Sequence, residues 1–150
     1  MDKYGKNKKI KFYNLLPQNR LFKEIYPQCD IFVYPSFTDS FGFGIIEAMS
    51  FGIPIVSVGG QSRKELIKDG KTGFVINEPR KLTLKDLENL TLNKTIKELE
   101  KKVEILIEDK ELRREMAKNC IEEIKNGKFS IKERNKKLVK IYEEAVNINI

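Results

Sequence analysis

Two carboxylates frame the most unusual stretch of this chain. In PSFTDSFGFGIIEAMSFGIPIV, residues 35–56, Asp39 stands among turn-forming residues and Glu47 stands eight positions later inside an apolar run. Gly42 and Gly44 lie between them, beside Phe41 and Phe43. Glycines let backbone N–H groups approach a ligand closely, and a helix beginning near Gly44 would turn its unpaired amides and the positive end of its dipole toward an anion. Glu47 falls about one turn inside that helix, so its carboxylate and that of Asp39 can face one crevice. Carboxylates that accept hydrogen bonds are how proteins grip sugar hydroxyls, the ribose diol of a nucleotide included. Amides for phosphate and two acceptors for hydroxyls describe a nucleotide-sugar site. A plainer account is also open, with Glu47 a surface residue favoured by the helix dipole and Asp39 a turn residue between Thr38 and Ser40. Against it, Glu47 is enclosed by Ile45, Ile46, Ala48 and Met49.

Composition narrows the chemistry that could occur here. The chain of 150 residues has no histidine, and its two cysteines, Cys29 and Cys120, are 91 positions apart. The usual zinc ligand sets, Ser/His/Asp triads and Cys/His dyads are thereby removed, and no metal site is expected. Both cysteines read as buried small apolar residues. Carboxylates, backbone amides and Lys or Arg remain. The net charge of +7 is densest at Lys3, Lys6, Lys8, Lys9 and Lys11. Elsewhere lysines interleave with glutamates, as on a solvated helical face. No nucleic-acid motif and no interleaved aromatics accompany the charge, so it is not read as a nucleic-acid footprint. A length of 150 residues suits one domain. No apolar run is long enough to span a membrane and the N-terminus has no signal-peptide core, so a cytoplasmic chain is expected.

The elements that must position Asp39 and Glu47 follow from punctuation and periodicity. Residues 10–13 (IKFY) read as a short strand, and 21–26 as a short amphipathic helix stopped by Pro27. DIFVYP (30–35) suits a strand buried on both faces, as do IPIVSVGG (53–60) and TGFVI (72–76). Helices are predicted over 44–51, with Gly52 and Pro54 as the stop signal, and over 62–68. This alternation argues for an α/β fold with a parallel sheet. Beyond Ile76 a polar loop with one helical turn leads to helices over 95–108, 110–126 and 131–146. Ser130 with Glu133 reads as a capping box. Ile131, Leu138, Ile141, Tyr142 and Ala145 supply an apolar stripe that should pack on something. The chain is thus read as a single unit over 1–150, with a sheet core over about 9–77 and a helical part over about 86–146.

The segment around Asp39 and Glu47 resembles the C-terminal, donor-binding half of a group 1 (family 4) glycosyltransferase of the GT-B fold. The matching residues are Pro35, Ser36, Asp39, Phe41, Gly42, Glu47, Ala48, Gly52, Pro54 and Ile55. Downstream, GGQSRKELIKDGKTGFVI is similar to the family's glycine-rich segment at Gly59, Gly60, Glu65, Gly70, Gly73 and Val75, and the last helix is similar to its closing helix. The resemblance covers about residues 10–146. It implies a Rossmann-like sheet flanked by helices and a hexosyltransferase-like enzyme of polysaccharide biosynthesis. That enzyme would take a nucleotide-diphosphate sugar as donor and transfer it with retention, without a catalytic metal or further cofactor, to a glycan or lipid acceptor. Carried over, Glu47 would hold the ribose hydroxyls and Asp39 would contact the donor sugar. Backbone amides of Phe41, Gly42, Phe43, Gly44 and Ile45 would hold the diphosphate. Glu65 would lie near the crevice or serve a helix-capping role.

This chain departs from the family pattern in two ways. Asp39 stands where the family has glutamate, which shortens the reach by about 1.5 Å. The donor half also normally opens with two strand-helix units carrying the arginine and lysine that neutralise the diphosphate, and these have no counterpart here. The fold is therefore expected to be N-terminally incomplete, with little or no transferase activity in isolation. Its expected partners are an acceptor domain, a second copy joined through an open strand edge, or a peripheral membrane surface. The rival reading is a non-catalytic module that completes or regulates a partner glycosyltransferase.

Overall fold

Three short strands, β1 (Phe32–Tyr34), β2 (Ile55–Val58) and β3 (Gly73–Ile76), form the sheet of the computed structural model, which describes residues 9–60, 62–77 and 93–147. The strands pair in parallel in the order β1-β2-β3, with Phe32 opposite Ile55 and Ile55 opposite Gly73. Ahead of β1 run α1 (Gln18–Arg20), a π-helical turn (Leu21–Ile25) and a 3-10 turn (Tyr26–Gln28). The crossovers carry α2 (Phe43–Ser50) and α3 (Arg63–Leu66), and β3 is followed by α4 (Asn93–Glu108), α5 (Lys110–Lys125) and α6 (Ile131–Asn147). The parallel sheet is the α/β architecture that the alternation of patterns predicts, and its flanking helices give the Rossmann-like form that the resemblance implies.

The core has two parts because β2 points its residues to both sides. Ile55 packs with Tyr26, Ile45, Ala48, Met49 and Leu66 under α2, while Val56 packs with Phe74, Ile76, Leu106 and Met116 under α4. Cys120 of α5 closes the first cluster, so α5 clamps the sheet from the side of α2. All four residues of β2 are buried, as suits a central parallel strand, and the polar Ser57 among them donates its hydroxyl to Tyr34 O at 3.0 Å. Gly73 allows β3 to lie against β2 at this register: a Cβ there would collide with the Ile55 backbone, and its φ is 155°.

Strand β1 differs from expectation. It is not buried on both faces, and Val33 is 37% exposed. The cause is position: among the described residues nothing pairs with its outer edge, so β1 is an edge strand with open N–H and C=O groups. Residues 10–13 form no strand, and Ile10, Phe12 and Tyr13 are exposed. A strand needs a neighbour to take up its backbone hydrogen bonds, and none stands beside these residues within the described sheet.

The predicted helix at 21–26 is part of a longer helical passage whose geometry changes turn by turn. Pro27 has no N–H to donate and its ring crowds the carbonyl four residues back, which accounts for the wide turn before it. At α6, Ser130 Oγ accepts from the Glu133 N–H at 3.5 Å, but the reciprocal half of the capping box is not made. Glu133 instead pairs with Lys136 at 2.8 Å, and the Ser130 N–H donates to Gly127 O at 3.0 Å. None of the α6 residues is buried, so its apolar stripe does not pack on the described body. Cys29 is half-buried rather than buried, whereas Cys120 is fully enclosed. The helical turn expected in the loop after Asn77, together with Lys3, Lys6 and Lys8, lies outside the described residues. No described helix is long and apolar enough to cross a membrane.

Candidate functional site

The loop and helix start that carry Asp39 and Glu47 follow the carboxyl end of β1, the side on which open parallel sheets hold their ligands. Strand β1 ends at Tyr34, residues 35–42 form a loop, and α2 begins at Phe43. Gly42 is the N-cap, with φ 93°, and no side chain caps the helix. A Cβ on Gly42 would sit 3.1 Å from Leu66 Cδ1 and 3.3 Å from Ile45 Cδ1, so both its dihedral and its surroundings demand glycine. Gly44 is different: its added Cβ would meet only Phe32 Cζ at 3.6 Å, an ordinary contact. The Ile45 N–H donates to Gly42 O at 2.9 Å, and the Ile45 side chain belongs to the core. The amides of Phe43 and Gly44 are in the first turn, where a helix offers no internal acceptor. Phe41 and Phe43 flank this turn with ring centroids 4.9 Å apart, and they are 39% and 69% exposed.

Glu47 is half-buried one turn along α2 and is gripped from two sides. Gln18 Nε2 donates to Oε1 at 2.6 Å, and the Tyr26 hydroxyl donates to Oε2 at 3.1 Å. Tyr26 is only 6% exposed, and burial, followed by the hydrogen bond and charge of Glu47, pushes its phenol up to about 12. It therefore remains a donor throughout the neutral range. Its ring is stacked on Phe51 at 5.3 Å and tilted against Phe32 at 6.2 Å. Phe32 in turn stacks on Tyr34 at 5.9 Å, as residues two apart on one face of a strand should.

Asp39 is held at the other end of that aromatic row. Its Oδ2 accepts from the Tyr34 hydroxyl, and its carboxylate also takes backbone N–H groups of Phe41 and Ser40. The Tyr34 hydrogen bond is the leading cause holding Asp39 below the usual carboxylate range, helped by the Phe41 amide, the Arg63 charge and the Ser40 amide against a counteracting loss of solvent. The same bond raises the Tyr34 phenol. The two carboxylates thus rest on different phenols, Asp39 on Tyr34 from β1 and Glu47 on Tyr26 from the turn before it.

Glu65 lies on the exposed side of α3, and its carbonyl accepts from Lys128 Nζ at 2.8 Å. It does not cap α3, whose N-cap Ser62 instead sends its hydroxyl to Phe41 O at 2.5 Å and so ties α3 to the loop. Sequence reasoning did not single out Gln18, Tyr34 or Arg63. Tyr26 was visible as part of an apolar stripe, and alternation along β1 puts Tyr34 on the face of Phe32. Nothing in the sequence pattern marks Arg63. Among the described residues no three His, Cys, Asp or Glu side chains gather as metal ligands.

Comparison with known proteins converges on one family. The model described as "Glycosyl transferases group 1" matches residues 1–87. A sucrose synthase of Denitrovibrio acetiphilus is 43% identical over 47 residues, covering 31% of this chain and 6% of that protein. A D-inositol 3-phosphate glycosyltransferase of Paenarthrobacter aurescens is 43% identical over 54 residues, 35% of this chain and 13% of that protein. An N,N'-diacetylbacillosaminyl-diphospho-undecaprenol alpha-1,3-N-acetylgalactosaminyltransferase of Campylobacter jejuni is 29% identical over 100 residues, 67% of this chain and 23% of that protein. The chain thus spans a small part of each relative's length.

Proposed function

We propose, since this chain belongs to the group 1 glycosyltransferase family, that residues 35–60 form the donor side of a site that holds a nucleoside-diphosphate sugar for retaining glycosyl transfer. In this reading Glu47 accepts the ribose hydroxyls, the first-turn amides of Phe43 and Gly44 face the diphosphate, and Asp39 stands toward the sugar. The observation that carries it is the preparation of Glu47. Both its oxygens are oriented, by Gln18 and Tyr26, one turn below a helix N-terminus that no side chain caps. Each carboxylate oxygen offers about two lone-pair directions, so the two protein donors leave one on each oxygen for a vicinal diol. The uncapped amides and helix dipole favour the phosphates.

The acceptor is proposed to be a glycan or a lipid-linked sugar, since the relative from Campylobacter jejuni is by name a transferase for a diphospho-undecaprenol acceptor. A lipid acceptor would bring the chain to a membrane surface. The donor contacts proposed here all come from one side of the crevice, so transfer is proposed to need a partner domain or chain that binds the acceptor. Calorimetric titration with UDP, GDP and ADP and their sugars tests the reading: saturable binding of one base supports it, and no binding by folded chain refutes it.

A second reading rests on its own observation. The apolar residues Ile131, Leu138, Val139, Ile141, Tyr142 and Val146 of α6 are exposed, and the outer edge of β1 is unpaired among the described residues. These suit a module that completes a partner subunit. The two readings separate on whether nucleotide binds without a partner.

A further inference from the structure

Arg63 is a charged residue with 0% exposure. Its Nη2 donates to the Ser36 carbonyl at 3.3 Å, and its guanidinium carbon lies 5.4 Å from the Tyr34 ring centroid. Nε and Nη1 are buried without a hydrogen-bond partner among the described residues. A buried guanidinium satisfied in this incomplete way lowers stability, and an apolar side chain of similar volume would fill the space at less cost. Packing alone therefore does not account for an arginine here. Its neighbours share a different property, because each leads to Asp39. Ser36 opens the loop that carries Asp39, Tyr34 donates its hydroxyl to the Asp39 carboxylate, and the guanidinium charge acts on that carboxylate directly.

We propose that Arg63 is a positioning residue for Asp39: beneath the Tyr34 ring and on the Ser36 carbonyl, it holds loop 36–41 so that the Asp39 carboxylate faces the donor sugar. The sugar-facing role rests on the donor-site reading above, while the positioning itself rests on the contacts. Among the described residues, groups acting on Asp39 include Tyr34 from β1 and Arg63 from α3, together with the Ser40 and Phe41 amides of its own loop. A guanidinium suits the task because its planar fork can pair with an aromatic ring while an N–H reaches a carbonyl. The tie from Ser62 Oγ to Phe41 O holds the same loop at its far end. Loop 36–41 is thereby fixed from α3 at both ends.

The test uses the full chain with Arg63→Met and Arg63→Lys. The titration of the Asp39 carboxyl is followed by carbon-13 NMR, thermal unfolding is recorded in parallel, and binding of UDP, UDP-glucose, GDP and GDP-mannose is measured. Arg63→Met should keep or raise the unfolding midpoint while moving the Asp39 titration upward, and Arg63→Lys should restore that titration toward wild type. For whichever nucleotide binds, Arg63→Met should weaken the nucleotide sugar several-fold more than the nucleoside diphosphate. A folded Arg63→Met whose Asp39 titration is unchanged overturns the proposal. So does a variant that fails to fold, since Arg63 would then be maintaining the fold. If wild type binds none of the four nucleotides, the donor-site reading falls and the Asp39 titration still decides this one.

Discussion

Tyr26 donates its hydroxyl to Glu47 Oε2 at 3.1 Å, joining the 3-10 turn before β1 to the helix that follows it. This bond makes Tyr26 a support for the carboxylate as well as a core residue. Tyr26→Phe keeps the ring and removes only the donor, so the core should survive while Glu47 loses one of its two holds. Nucleotide affinity should fall by roughly threefold to tenfold, the scale of a hydrogen bond to a charged group partly replaced by water. Calorimetry on the folded variant checks it.

The same phenol predicts an alkaline limb in stability. Folding raises its pKa from 10.0 to about 12. The protonated phenol is thus favoured by the folded state, and its contribution is fully present below about pH 10. It is lost as pH rises toward 12. Denaturant midpoints followed across that range should fall more steeply in wild type than in Tyr26→Phe. Equal slopes would show that burial and Glu47 together do not hold the phenol protonated in the folded chain.

Asp39→Glu restores the residue type that the family pattern carries, yet it should not improve the site. The shorter side chain of Asp39 closes on the Ser40 and Phe41 amides of its own loop and on Tyr34, a reach that suits aspartate in a turn. Glutamate would have to give up part of that set, and with it some stability. Thermal denaturation and sugar-nucleotide affinity should both show no gain.

Gly42 and Gly44 should separate under alanine substitution. Gly42→Ala places a Cβ at φ 93° and against Leu66 and Ile45, and should cost at least about 1–2 kcal/mol. Gly44→Ala meets only an ordinary contact and should be neutral, or stabilising by up to about 1 kcal/mol, because alanine is the better helix former. Its Cβ lies by the first turn, so nucleotide binding should weaken without loss of stability. Chemical denaturation and calorimetry on the two variants check both halves.

The thiols give a probe of the core itself. Cys120 is fully buried, its Sγ contacts Thr72 O at 3.3 Å, and burial pushes its thiol up to about 12. Cys29 is only half-buried, with a thiol raised by burial and directed to Ile25 O at 3.2 Å. A disulfide reagent at neutral pH should modify Cys29 slowly in the folded chain and Cys120 only on unfolding. Modification of both at equal rates would show that α5 does not stay on the sheet.

Much of this fold could be read from sequence because its signals are local. The apolar runs at 53–60 and 72–76, the Gly52 and Pro54 stop and the uninterrupted helices after Asn93 report what each segment does by itself. Strand β1 and residues 10–13 misled for a single reason. An apolar run states a preference for extended backbone, but whether that backbone is buried or paired depends on a neighbour in the sheet. The stripe on α6 was legible for the same reason that its neighbour was not. In the candidate site, Asp39 and Glu47 stood out by type and spacing. Their supports did not, since Gln18 reaches Glu47 across 29 positions and Arg63 reaches Ser36 across 27. Contacts of that span are set by the topology, and no local pattern records them.

The central claim is that Glu47 grips the ribose diol of a nucleotide, and it is tested most directly by removing either side of that contact. Wild type and Glu47→Ala should be titrated with the best-binding nucleoside diphosphate and with its 2',3'-dideoxy counterpart. The account predicts that wild type prefers the intact ribose by at least roughly tenfold, about 1.4 kcal/mol, and that Glu47→Ala binds both forms equally weakly. Equal binding of the two forms by wild type, or a preference that survives in Glu47→Ala, would contradict it.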